Sequence, residues 1–230
     1  MRLWDYLSSQ RVDYFIANSQ ETKRRIQKFY RRDAEVIYPP VNIPKKTPNY
    51  QLLITNYYLT VSRLARAKHV NILIQAANKM KFNLKIVGTG RDENYLRSIA
   101  GPTVEFLGEL PDEKLAQLYL EAKAFLFSAV DEEFGIAPVE AMGYGLPIIA
   151  YKSGGIPEYI KEGINGLLFD ELTPEALIKK IKLLKSLPDD KLLAIKKNSR
   201  KTAENFSEKK FRERMLNFIS KSVKQYNSDS

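Results

Sequence analysis

Apolar runs of strand length alternate with amphipathic helical stretches through almost the whole 230-residue chain, and that alternation restricts the fold more than any other feature. Residues 58–64, 83–87, 104–107, 125–129, 147–150 and 166–169 read as short apolar strands, several without an intervening polar position. Such runs suit strands buried on both faces rather than one. Helical patterns fill the gaps at 69–80, 92–100 and 111–124, the last with Leu115, Leu118, Tyr119 and Ala122 on one face, and another helix starts at Pro138. Strands joined through helices of this length form βαβ units, so the prediction is an α/β fold: a parallel sheet with helices on both faces. Three further helical patterns, at 174–187, 189–204 and 207–225, close the chain. Ahead of this series, strands at 14–17 and 35–38 flank a helix at 20–30. A proline-rich stretch holding Pro39, Pro40, Pro44 and Pro48 then reads as a linker.

Composition removes several function classes. The chain has no cysteine and a single histidine, His69, which excludes a disulfide framework or thiolate metal site and leaves little for an imidazole site. No metal is expected. No run approaches the roughly 20 apolar residues of a membrane-spanning helix, and Met1 to Asp5 lack the apolar run of a signal peptide, so a cytoplasmic location is expected. The net charge of +10 is uneven, with +5 over residues 1–50, −2 over 51–170 and +7 over 171–230. A nucleic-acid groove interleaves cations with aromatics along one surface, whereas these lysines fall on the polar faces of helices. No nucleic-acid partner is expected. Lys209, Lys210, Arg212 and Arg214 also suit peripheral docking on an anionic membrane surface.

Ligands of open parallel sheets bind beyond the carboxyl ends of the strands, and three loops stand out there. Arg63 ends a strand and Lys68 follows at the mouth of the next helix. An arginine fork with a lysine point charge suits a diphosphate, and two solvated loop cations fit the same pattern. Gly88-Thr89-Gly90 permits a tight turn and close approach of a ligand to the backbone, without completing a dinucleotide fingerprint because Glu93 stands at the third glycine position. The third loop, residues 131–142, leads into the helix at Pro138, with Ala137 near its N-cap. Alanine brings no capping acceptor, so the free N–H groups at that end can serve an anion. Glu132 before the turn and Glu140 in the first helical turn can face one cleft. Each also has a plain reading, as an exposed acid and as a helix-dipole partner.

Together these segments resemble the donor-binding half of a GT-B glycosyltransferase of the retaining group 1 family (family 4), from about residue 14 to 170. Glu132 and Glu140 match its Glu-x7-Glu motif, and Val61-Ser62-Arg63-Leu64 with Lys68 resembles its phosphate-binding strand end. Ile86 to Gly90, Phe106-Leu107-Gly108, Gly145 to Ala150 and Gly154 to Glu158 match further family segments. The resemblance implies a Rossmann-like sheet and a nucleotide-sugar donor, with no other cofactor. Arg63 and Lys68 would hold the diphosphate, Gly135 and Ile136 would meet sugar and phosphate, Glu140 would hold the ribose, and Glu132 would be the catalytic contact to the transferred sugar. The backbone of 106–109 would lie beside the base. Val36 to Val41 and Phe134 to Glu140 look most like mannosyltransferase members, which implies GDP-mannose. The resemblance divides the chain into 1–50 (remnant of an N-terminal acceptor domain, and linker), 51–205 (donor domain) and 206–230 (C-terminal helix). The chain would be an excised domain, a truncated product or one half of a split enzyme, inactive without an N-terminal acceptor domain. A non-catalytic nucleotide-sugar-binding subunit is the alternative. His69 takes a position that is commonly glycine in the family and does not replace its catalytic histidine.

Overall fold

The computed structural model describes residues 2–46 and 56–229, and the alternation read from sequence becomes one six-stranded, wholly parallel sheet. Its strands are β3 (Tyr57–Val61), β4 (Asn83–Val87), β5 (Val104–Gly108), β6 (Phe125–Phe127), β7 (Ile148–Tyr151) and β8 (Gly166–Phe169). They lie in the order β5-β4-β3-β6-β7-β8. The chain therefore winds outward from β3 in one direction, returns, and winds outward from β6 in the other. This is the doubly wound order whose switch point falls between β3 and β6.

Side chains of successive strand residues point to opposite faces, and each face has its own core. Leu59, Phe125, Phe127, Ile148, Ala150 and Leu168 pack on one side. Their neighbours Tyr58, Leu126, Ile149, Leu167 and Phe169 pack on the other. Helices α5 (Asp112–Glu121) and α6 (Ile136–Gly143) cover the first face. Helices α3 (Val70–Met80) and α8 (Pro174–Lys185) cover the second. In α3 the buried Val70, Leu73, Ile74 and Ala77 follow the i, i+3, i+4, i+7 spacing of a single helical face. Helix α8 starts where Pro174 follows Thr173, whose hydroxyl accepts the Ala176 N–H.

An N-terminal unit stands beside this sheet. Helix α1 (Arg2–Ser9) precedes strand β1 (Ile16–Ala17), helix α2 (Gln20–Tyr30) and strand β2 (Glu35–Val36). β1 and β2 form a separate parallel pair over a small core of Ala17, Ile26 and Ala34. The unit is tied to the last segment, because Val41 donates to the Phe206 carbonyl just before helix α10 (Glu208–Asp229), and Tyr14 meets Phe218 edge to face. Helix α9 (Asp189–Ala203) and α4 (Glu93–Ser98) complete the set with the one-turn α7 (Ile156–Tyr159). Among the described residues no helix is long and apolar enough to cross a membrane.

The expected strand at 58–64 stops at Val61, although the N–H groups of Ser62 and Leu64 still bond to the carbonyls of Val87 and Thr89. The strands at 14–17 and 35–38 shrink to two residues each. Helices α1 and α7 have no counterpart in the sequence reading. The second half of the expected linker, and the domain boundary at residue 50, lie outside the described residues.

Candidate functional site

The loops leaving β3 and β6 meet at the switch point. Ser128, fully buried at the end of β6, sends its hydroxyl to the carbonyls of Lys68 and His69, 2.9 Å from each. Val130 N–H adds a bond to the Ala67 carbonyl at 3.0 Å. These bonds hold the mouth of α3 against the loop that follows β6. On top of them Lys68 Nζ forms an ion pair with Glu132 Oε2, both side chains largely shielded from solvent. Two residues 64 apart in sequence, both expected at a ligand site, are therefore in direct contact. Arg63, one loop turn earlier, is exposed and makes no side-chain bond among the described residues.

Helix α6 begins at Ile136, not at Pro138, and its N-cap is Gly135 rather than Ala137. The first turn of a helix leaves its N–H groups without intrahelical partners, so proline fits at the third position as well as the first. Gly135 has φ +83°, a left-handed value that favours glycine, and a Cβ there would lie 3.0 Å from Ile156 Cδ1 and 3.1 Å from the Tyr159 hydroxyl. No side chain caps this end. The free donors of Ile136 and Ala137, with the positive end of the helix dipole, remain available to an anion.

The loop that presents this end is rigidly supported. The buried Tyr159 hydroxyl donates to the carbonyls of Phe134 and Gly135. Its burial, with the charges of Glu132 and Glu158, pushes its pKa far up, so it stays a donor. Tyr38, Phe134, Tyr159 and Phe206 form an aromatic cluster with ring centroids 5.2–5.8 Å apart. Gly154 and Gly155 lie against the backbone of Glu132 and Glu133, where added Cβ atoms would stand 2.0 and 2.1 Å from the two carbonyl oxygens. The Glu158 carboxylate accepts from the N–H groups of Gln20 and Glu21 at the start of α2 and from the Tyr38 hydroxyl. Arg25 reaches the Asp131 carbonyl, and Asn18 donates to Glu133. The N-terminal unit thus docks onto the loop that carries Glu132. Sequence reasoning missed this bracing by Glu158 and Tyr159, although the segment holding Glu158 was visible as a motif.

Glu140 lies one turn into α6, separate from the Lys68–Glu132 pair. Tyr119 donates to its Oε2 at 3.2 Å. Burial raises the Glu140 pKa, the Tyr119 bond opposes that rise, and Asp112 adds to it. Both residues line a cavity of about 130 Å³ with Asn42, Asp112, Leu115 and Tyr144. Within the 106–109 segment, strand β5 ends at Gly108 (φ +65°), whose carbonyl accepts the Gly88 N–H at 2.7 Å. Gly88 and Gly90 also have a packing role. A Cβ on Gly88 would stand 2.1 Å from the Ser62 oxygen and one on Gly90 2.2 Å from the Leu64 oxygen, so these glycines let the neighbouring loop pass. His69 occupies a left-handed position (φ +49°) at the start of α3, which is where glycine is least strained.

An open parallel sheet with cations and an uncapped helix end at its switch point is an arrangement in which α/β folds commonly receive anionic ligands. The family described as glycosyl transferases group 1 matches residues 44–202, and the chain belongs to that family. An uncharacterized glycosyltransferase of Methanocaldococcus jannaschii is 31% identical over 173 residues, covering 74% of this chain and 48% of the relative. A GDP-mannose-dependent alpha-mannosyltransferase of Corynebacterium glutamicum is 37% identical over 110 residues, covering 48% of this chain and 26% of the relative. The chain thus spans half or less of the length of these relatives. The crystal structure of Anabaena HepE in complex with UDP and glucose superposes with a TM-score of 0.83 at 24% identity, over 96% of this chain and 66% of that one. That likeness establishes the GT-B type of α/β fold.

Proposed function

We propose that this chain is the donor-binding half of a retaining glycosyltransferase, with a nucleoside-diphosphate sugar seated across the switch point. The observation that carries the reading is the meeting of Lys68 and Glu132 beside the uncapped N-terminus of α6. The diphosphate is received by Lys68, Arg63 and the N–H groups of Ile136 and Ala137, which stabilise charge on the leaving group during transfer. Glu132, displaced from Lys68 by the phosphates, turns to the hydroxyls of the transferred sugar. Glu140 holds the ribose, and the 106–109 backbone flanks the base. GDP-mannose is the donor we assign. It is supported by the segments 36–41 and 134–140 and by the relative whose name specifies GDP-mannose. The UDP in the HepE complex supports a uridine donor as the competing choice.

The acceptor side belongs to a second domain. Supporting this, Leu3, Trp4 and Phe29 of the N-terminal unit and Leu216, Ile219 and Val223 of α10 are exposed, apolar surface of the kind another domain covers. Transfer needs donor carbon and acceptor hydroxyl held together, and that positioning supplies about 7–11 kcal/mol of the barrier. The chain alone is expected to bind donor and transfer nothing. Titration calorimetry with GDP-mannose and UDP-glucose, followed by transfer of radiolabelled mannose with and without an N-terminal domain from a group 1 relative, tests the reading. Robust transfer by residues 1–230 alone contradicts the half-enzyme reading. Binding that never leads to transfer with any acceptor domain favours a non-catalytic subunit instead.

A further inference from the structure

The bond between Tyr119 and Glu140 has a direction and a rigidity that the donor reading leaves unused. Tyr119 is 2% exposed. Its ring is stacked on Tyr144 with centroids 5.2 Å apart and packed against Phe125 at 6.1 Å, so the phenol cannot swing away from α6. Burial and the adjacent carboxylate raise its own pKa far beyond neutral pH, so its single proton stays on oxygen and is donated to Glu140 Oε2. A carboxylate carries about four acceptor sites, and this bond uses one of them. The other oxygen is left for the cavity shared with Asn42, Asp112 and Leu115. A carboxylate pinned by one oxygen and offering the other in a partly desolvated pocket is preorganised to accept from a vicinal diol.

We propose that Tyr119 is a positioning residue that fixes Glu140 for the two ribose hydroxyls of the nucleotide, and so sets discrimination between ribonucleotides and nucleotides lacking those hydroxyls. The proposal rests on the donor reading, in which Glu140 holds the ribose. Other charged or titratable groups facing this pair are Asp112 from α5, Tyr144 at the end of α6, and Arg200 from α9, which acts on Tyr144. Asp112 and burial favour the protonated carboxyl, whereas the Tyr119 bond favours the carboxylate. Removing the phenol oxygen therefore both frees the Glu140 side chain and raises its pKa.

The test uses Tyr119→Phe, which keeps the ring and its stacking. Affinities for GDP and for 2′,3′-dideoxy-GDP are measured by calorimetry from pH 4.5 to 8, with melting curves establishing that the variant is folded. The parent is expected to prefer GDP. In Tyr119→Phe the GDP affinity falls by about three- to tenfold, because Glu140 is no longer held in place, while dideoxy-GDP affinity is unchanged. The acid limb of GDP binding also moves to higher pH in the variant. Equal loss for both nucleotides, or unchanged discrimination with an unmoved acid limb, overturns the positioning role. A parent that binds both nucleotides equally overturns the ribose role of Glu140 itself. Should Tyr119→Phe not fold, Glu140→Asp takes its place, since a shorter acid loses the Tyr119 bond and is expected to lose the same discrimination. Retained discrimination in that variant overturns the proposal.

Discussion

Lys68 and Glu132 should respond to mutation with opposite signs when nucleoside diphosphate binding is measured. They are paired, with side chains 23% and 22% exposed. After solvent screening such a pair contributes at most about 1 kcal/mol. A diphosphate arriving at Lys68 must break that pair and gains a charge-assisted contact of about 1.5–3 kcal/mol. Lys68→Met therefore loses the contact, and GDP affinity falls by about 10- to 100-fold at roughly 1.4 kcal/mol per tenfold. Glu132→Gln removes the competitor, so GDP binding tightens by up to about fivefold on the same conversion. For GDP-mannose the Glu132→Gln gain is cancelled, because the sugar loses its carboxylate partner. Calorimetric titration of both ligands into the parent and the two variants at fixed ionic strength gives all six affinities. Glu132→Gln weakening GDP as much as Lys68→Met does would refute the competition between carboxylate and phosphate.

Glu140→Gln should weaken GDP and GDP-mannose alike, unlike Glu132→Gln, and the same titrations separate the two. That variant should also gain thermal stability at neutral pH. Burial raises the Glu140 pKa above its ordinary 4.5, so stability present below 4.5 is lost as pH rises through the raised value. The advantage of Glu140→Gln in melting temperature is therefore expected to shrink as the pH falls toward 4.5, and an advantage independent of pH contradicts the burial argument. Gly88→Ala meets a carbonyl oxygen 2.1 Å from the new Cβ at φ +118°. Overpacking and backbone strain together should destabilise the fold by about 2–6 kcal/mol in urea titration, and a neutral effect contradicts the loop packing. Arg63→Ala, at an exposed position, should lower GDP affinity by about tenfold without changing urea stability, and an unchanged affinity removes its phosphate role.

The layered fold was legible because its signal is repeated. Runs such as Phe125-Leu126-Phe127 and Ile148-Ile149-Ala150 are apolar on consecutive residues, which only a sheet covered on both faces can bury. Boundaries were less legible. Pro138 suggested the first position of α6, but proline fits anywhere in the first turn, and the left-handed turn at Gly135 sets the start. Site residues could be named one at a time, yet which of them touch depends on strand order. Lys68 meets Glu132 only because β6 returns beside β3, and neither loop encodes that neighbour locally. The glycines at 88 and 90 are ambiguous in sequence for a related reason. Close approach to a ligand and close approach to another loop call for the same residue, and here the partner is the Ser62–Leu64 backbone. Tyr119 lay on the apolar face of its helix and read as core. It is core, and its hydroxyl also reaches Glu140.

The most direct test of the donor site is a map of where a nucleoside diphosphate touches the chain. With the uniformly 15N-labelled protein and assigned amide signals, GDP is titrated at constant salt and the shift changes are followed residue by residue. The account predicts saturable changes at Arg63 to Lys68, at Glu132 to Ala137 and around Glu140, the two sides of the β3–β6 switch point. It also predicts that the amides of Ile136 and Ala137 move furthest, because this helix end has no side-chain cap and its N–H groups would receive the phosphates. Changes confined to the lysine-rich helices α9 and α10, or spread weakly over the surface and abolished by modest salt, would contradict it.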